Sequence, residues 1–276
     1  MGKAPETENL AVFCDFENVA LGVRDARYAQ FDIRKVLERL LLKGSIVVKK
    51  AYCDWERYKE FKAAMHEAAF ELIEIPHVRQ SGKNSADIRM VVDALDLCYT
   101  KAHVDTFVIV SGDSDFSPLV SKLRENNKIV IGVGVKSSSS DLLIANCDEF
   151  IYYDDLVRKK QPRKRPARKA PAGRGAAAPA KEPKEDKDAE ERTQAALDLI
   201  METLEALAEE RGSEEKVWGS LVKQTLKRRS PGFNESYYGF RSFNRLLEEA
   251  AARGLLELEP DEKSGGYIIR LSHQEE

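Results

Sequence analysis

The chain has 276 residues, 42% hydrophobic and 33% charged, with a formal net charge of −3, so it is long enough for two ordinary domains and apolar enough for a core. Its four cysteines (Cys14, Cys53, Cys98 and Cys147) are far apart, form no C-x-x-C pair and join no histidine pattern, which argues against a structural zinc site; three of them sit in apolar surroundings suited to reduced core thiols. Residues 1–9 carry no apolar signal segment, and no apolar run approaches the ~20 residues of a membrane helix, so a soluble, cytoplasmic protein with no membrane partner is expected.

Residues 9–157 alternate between short apolar or β-branched runs and helical patterns. Strands are predicted at Leu10–Cys14, Ser45–Tyr52, Phe70–Ile75, Thr106–Val110, Ile129–Val135 and Glu149–Tyr152. Between them, Phe61, Ala64, Met65 and Ala68 recur at helical spacing, as do Ile88, Val91, Val92 and Leu95. Strands that are apolar throughout, separated by amphipathic helices, imply an α/β domain with a parallel sheet covered on both faces. Ligands of such sheets bind beyond the carboxyl ends of the strands.

Residues 158–192 lose this periodicity. Nine bases and no acid fall between Arg158 and Arg174, and mixed Lys and Glu follow. The stretch reads as a disordered linker, and its run of cations suits either a polyanion or a solubilising spacer. Residues 193–272 regain a pattern. Leu197, Ile200, Met201, Leu204 and Leu207 form one helical stripe, Val217, Leu221, Val222 and Leu226 a second, and Phe240, Phe243, Leu246 and Leu247 a third. Two strand-like runs, Leu255–Leu258 and Tyr267–Leu271, flank turn residues. Three helices and a hairpin are winged-helix order.

Four carboxylates stand where an α/β sheet places functional groups. Asp15 follows the first strand in Phe13-Cys14-Asp15-Phe16-Glu17-Asn18, Asp113 and Asp115 follow the fourth in Ser111-Gly112-Asp113-Ser114-Asp115-Phe116, and Asp87 opens a helix in Lys83-Asn84-Ser85-Ala86-Asp87. If their strands are neighbours, these acids converge. Clustered carboxylates raise one another's pKa, and a divalent cation such as Mg²⁺ resolves the repulsion. It can also activate water and stabilise charge on a phosphate. Asn18 and Ser111 suit the orientation of water or a phosphate oxygen. The alternative is that these acids only cap helices, with Asp115 a candidate cap before Phe116-Ser117-Pro118. Asp93, about 120° round the helix from Asp87, reads as a surface or supporting acid.

These three strings resemble the NYN domain family, a LabA-like branch of the PIN-like nucleases, over about residues 9–157. The resemblance implies a PIN-like (Rossmann-like) fold and a Mg²⁺- or Mn²⁺-dependent endoribonuclease site. Asp15, Asp87 and Asp113 would be its metal acids, with Asp115 contributing nearby and Asn18 as a polar site residue. Members often read Lys-Gly-x-Asp where this chain has Lys83-Asn84-Ser85-Ala86-Asp87, one residue longer.

Around the acids, Arg79, Lys83 and Arg89 flank Asp87, and Lys136 with Ser137–Ser140 precedes a helix-like segment, forming either an RNA backbone track or ordinary solvated surface. In the C-terminal part, Tyr237-Tyr238-Gly239-Phe240-Arg241-Ser242-Phe243 resembles the LOTUS (OST-HTH) winged helix, a domain linked to RNA binding and in some members to protein partners. Phe240 and Phe243 read as core. Lys223, Lys227, Arg228, Arg229, Arg241 and Arg245 are candidates for phosphate contact or an ordinary solvated face. The combined expectation is an RNA-cutting enzyme with an RNA-binding module, and the alternative is a non-catalytic RNA-binding regulator.

Overall fold

The computed structural model describes residues 8–28, 30–75, 85–158, 184–211, 217–261 and 266–271. The chain forms two compact units. The first holds six strands, all parallel: β1 (Glu8–Asp15), β2 (Gly44–Cys53), β3 (Glu71–Glu74), β4 (Thr106–Val110), β5 (Ile129–Gly134) and β6 (Glu149–Tyr152), ordered β3-β2-β1-β4-β5-β6. All six predicted strands are present.

The alternation of side chains along each strand divides the interior in two. Leu10, Val12, Cys14, Val108, Val110, Ile131 and Val133 point into one core, while Ala11, Phe13, Phe107, Ile109 and Val130 point into the other. Helices α1 (Phe16–Asp25), α2 (Ile33–Leu41) and α3 (Lys59–Glu67) cover the first core, through Phe16, Val19, Val23, Ile33, Val36, Leu40 and Met65. Helices α4 (Ser85–Thr100), α5 (Ser117–Glu125) and α6 (Asp141–Asn146) cover the second, through Met90, Ala94, Cys98, Leu119, Val120, Leu123 and Leu143. A short α7 (Tyr153–Val157) follows β6.

The face that α4 buries differs from the apolar spacing seen in the sequence. Met90, Ala94 and Cys98 pack inward, whereas Ile88 and Val92 are exposed. The spacing of Ile88, Val91, Val92 and Leu95 predicted the helix, and of these four Val91 and Leu95 pack against the core beside Met90, Ala94 and Cys98.

The second unit contains α8 (Lys184–Arg211), β7 (Val217–Trp218), α10 (Phe243–Ala252), β8 (Leu256–Pro260) and β9 (Tyr267–Leu271), and α9 (Gly219–Arg229) begins in it. Its strands form an antiparallel sheet ordered β7-β9-β8. Leu197, Ile200, Leu204 and Leu207 of α8 are buried, as are Phe243, Leu246, Leu247 and Ala250 of α10, while Phe240 is half-buried. Helix α8 starts at Lys184, inside the stretch that reads as linker. The Lys, Glu and Ala there are strong helix formers continuous with the amphipathic pattern that follows. Residues 159–183 of that linker lie outside the described residues. No helix among the described residues is long and apolar enough to cross a membrane.

Candidate active site

Strand order reverses between β1 and β4, whose chain neighbours lie on opposite sides of the sheet. A crevice forms beyond the carboxyl ends of strands at such a switch point. Asp15 is the last residue of β1, and Ser111-Gly112-Asp113 follow β4. Cys14 pairs with Val110 across the two strands, so the register brings both segments out at one level.

Asp15 is 7% exposed and caps α1: its Oδ1 accepts from the Asn18 amide at 3.3 Å. Its other oxygen, Oδ2, accepts from Ser111 Oγ at 3.0 Å. Ser111 Oγ in turn accepts from the Asp113 amide at 3.2 Å, and Asn18 Oδ1 accepts from the Gly112 amide at 2.9 Å. These bonds stitch the start of α1 to the loop after β4, so Asn18 and Ser111 hold the acids in place. Gly112 is required for close packing: a Cβ there would lie 2.4 Å from the Ser138 carbonyl oxygen. Asp113 caps a single 3-10 turn at Ser114–Phe116, with Oδ1 accepting from the Asp115 amide at 3.0 Å. The cap is therefore Asp113 rather than Asp115; α5 starts after Phe116 without a side-chain cap.

Electrostatics distinguishes Asp15 from an acid that only caps. The Asp15 carboxyl is pushed up to about 7, first by burial and then by the charge of Asp87, with Asp113 adding to it; the bonds from Ser111 and Asn18 oppose the rise. Asp87, in the first turn of α4, is half-buried and also raised, by burial and then by Asp113, Asp115 and Glu17. The charges that raise these two groups come from Asp87 and Asp113 on Asp15, and from Asp113, Asp115 and Glu17 on Asp87. The four sequence-predicted acids thus feel one another's charge through Asp87, which couples to Asp15 on one side and to Asp113 and Asp115 on the other. Glu17 joins them without having been singled out, although it stands two residues after Asp15; it is ion-paired with Arg57 at 3.1 Å.

The basic residues are less uniform. Arg79 and Lys83 lie outside the described residues. Arg89 is turned to Asp93, 3.0 Å from its Oδ1. The Lys136 ammonium lies 5.9 Å from the centre of the Tyr152 ring, and its amide donates to Asp154. Lys223 on α9 pairs with Glu235 at 2.8 Å, Lys227 is half-buried on the same helix, and Arg241 is exposed just before the Ser242 cap of α10.

Among the described residues, no three His, Cys, Asp or Glu side chains stand close enough to form a ready metal-holding group. The donors nonetheless fit a hard divalent cation: all are oxygens, and their negative charges raise one another. An ion of this kind needs only one or two carboxylates when water and substrate phosphate complete its shell.

A parallel six-stranded sheet between two helical layers, with acids at its switch point, defines an α/β protein of PIN-like architecture. The NYN domain family matches residues 9–154, more than half of the chain, and the chain belongs to that family, within the PIN-like nuclease superfamily. It is 27% identical over 154 residues to Meiosis regulator and mRNA stability factor 1 of Xenopus tropicalis, a match that covers 56% of this chain and 9% of that protein. It is 28% identical over 140 residues to an uncharacterised protein of Methanocaldococcus jannaschii, covering 48% of this chain and 55% of that one. Among solved structures it resembles a protein of unknown function from Vibrio parahaemolyticus, with 28% identity, a TM-score of 0.50, and coverage of 56% of this chain and 98% of the other. The shared region is the N-terminal unit; the chain spans only part of the length of the curated relatives it matches.

Proposed function

We propose that the chain is a metal-dependent endoribonuclease, with Mg²⁺ or Mn²⁺ as cofactor, whose C-terminal unit is a LOTUS-type winged helix that engages RNA. The observation that carries this reading is the buried Asp15 carboxyl, raised to about 7 among Asp87 and Asp113 at the switch point of the sheet. Packing alone gives no reason to gather like charges there. Kinship to a protein named as an mRNA stability factor supports RNA as the substrate class.

Asp15, Asp87 and Asp113 would hold the cation. When bound, it would neutralise these acids, favour ionised water and stabilise charge on the scissile phosphate. Ser111 fixes the Asp15 carboxylate, Asn18 fixes the Gly112 backbone, and the exposed Asp115 would assist the attacking water. Domain limits of 9–157 and 193–272 follow from this reading. Lys136, Lys223, Lys227, Arg241 and the cations from Arg158 to Arg174 would contact the RNA backbone, and the LOTUS unit is also where a protein partner would dock.

The absence of a ready three-acid group among the described residues favours a second reading, an RNA-binding regulator without turnover. Cleavage of labelled single-stranded RNA with Mn²⁺, Mg²⁺ or EDTA, beside Asp113→Asn, separates the two. Metal-dependent cleavage lost in the variant supports the enzyme. Binding without cleavage under both metals supports the regulator. Cleavage that survives Asp113→Asn places the site elsewhere.

A further inference from the structure

Helix α4 has its inner face satisfied by Met90, Ala94 and Cys98, yet its outer face is apolar as well. Ile88, Val92 and Tyr99 are 62%, 55% and 65% exposed, and half-buried Leu95 lies between the last two. The spacing 88, 92, 95, 99 advances by four, three and four residues, which is the seam of a two-helix coiled coil. A solvated helix face has no need of such a seam, and of its four residues only Leu95 also packs against the inner core.

The charges beside the seam specify what covers it. Arg89 and Asp96 are both exposed, sit one heptad apart and occupy the same flanking position. In an antiparallel pair of identical helices, Val92 of each copy meets Leu95 of the other, and Ile88 meets Tyr99. The same alignment sets Arg89 of each copy against Asp96 of the other, twice, about one two-fold axis. This is the self-complementarity of an isologous interface. Arg89 already donates Nε to Asp93, and its side chain remains 55% exposed. A nucleic acid would require an excess of cations, and the exposed ionised groups along this face are one Arg and one Asp.

We infer that the exposed face of α4 is a homodimer interface, in which α4 packs antiparallel against α4 of a second copy through Ile88, Val92, Leu95 and Tyr99. A helix of 16 residues is about 24 Å long. One such pair buries less than the roughly 800 Å² per partner of a standard interface, so the dimer is weak and concentration-dependent. Asp87 opens the same helix, so the two acid clusters lie at opposite ends of the pair. The inference stands whether or not the chain cuts RNA.

Sedimentation velocity of the full chain, from roughly 5 to 200 µM, reads the effect directly at concentrations that bracket a weak interface. The expected result is a rise of the average mass from 31.1 kDa toward twice that value. Val92→Glu abolishes the rise without lowering the melting temperature, because Val92 is exposed. Arg89→Glu and Asp96→Arg chains each repel themselves and stay monomeric alone. Mixed together they restore every opposite-charge pair, and the mixture recovers the mass shift. A wild-type chain that stays monomeric throughout overturns the proposal. So does a dimer that survives Val92→Glu, or a mixture that remains monomeric.

Discussion

Two carboxylates of the same domain, one buried and one half-buried, meet opposite surroundings. Asp93, on the side of α4 that faces β2, works against a burial penalty yet is held below the usual carboxylate range by the Tyr52 hydroxyl at 2.9 Å, by Lys50 and by Arg89. Asp15, at the end of β1, is raised to about 7 by burial and by Asp87 and Asp113. Both acids accept hydrogen bonds, but one sits beside cations and the other beside acids. The first arrangement clamps α4 to the sheet. The second weakens the fold, which is the usual signature of a group kept for chemistry.

The largest expected effect exploits that difference through pH. An Asp15 carboxyl that titrates near 7 when folded and near 3.8 when unfolded binds its proton more tightly in the native state. Stability of the metal-free chain therefore falls as pH rises from about 4 to about 8. The full loss is on the order of 4 kcal/mol, at about 1.36 kcal/mol for each tenfold change in proton affinity. Thermal melts in EDTA across that range should show the decline, and Asp15→Asn should flatten it, since an amide can still accept from Asn18 and donate to Ser111. A slope unchanged in Asp15→Asn would show that another group carries it.

Next comes activity. Asp113→Asn should lower RNA cleavage by about a hundredfold or more, roughly 2.7 kcal/mol of barrier, with little change in RNA binding. Equal losses in both assays would mean a binding residue instead.

Cation binding to the acids should raise the melting temperature. Mn²⁺ at a hundred times its Kd stabilises by about 2.7 kcal/mol. The gain should be greater at pH 8 than at pH 6, because the proton on Asp15 competes with the cation. Asp15→Asn and Asp113→Asn should each reduce it, and a gain equal in both variants would place the cation elsewhere.

The smallest effect is the converse variant. Asp93→Asn strips charge from the bonds to Lys50 and Arg89 and should cost about 1–2 kcal/mol in urea denaturation at pH 7, leaving cleavage by the folded chain intact. Lost cleavage with unchanged stability would make Asp93 part of the site and erase the contrast.

Much of this architecture was legible in the residues. Strands buried on both faces must be apolar along their whole length, so Val12-Phe13-Cys14 and Thr106–Val110 identify themselves as interior strands. The motif strings placed Asp15 and Asp113 after them. Helix α4 was less legible because Ile88, Val92, Leu95 and Tyr99 are as periodic as Met90, Ala94 and Cys98, and periodicity does not say which stripe meets the sheet. The reading of Asp115 as a helix cap failed because Asp113 turns back onto the Asp115 amide first, and such a local choice depends on backbone angles. The basic residues also divided in ways that spacing does not reveal. Arg89 pairs with Asp93 and Lys223 with Glu235, partners four and twelve residues along the chain.

The sequence by itself determined the parallel α/β character of the first unit, the strands that carry Asp15 and Asp113, and the acid content of the crevice, because strand burial and side-chain chemistry are local properties. Only the tertiary structure decided that β1 and β4 are neighbours, that Ser111 and Asn18 fasten their ends together, and that Asp15 rather than Asp93 carries the unfavourable charge. Those facts depend on which distant segments share a space, and the energy of a buried carboxylate is set by the charges that surround it there.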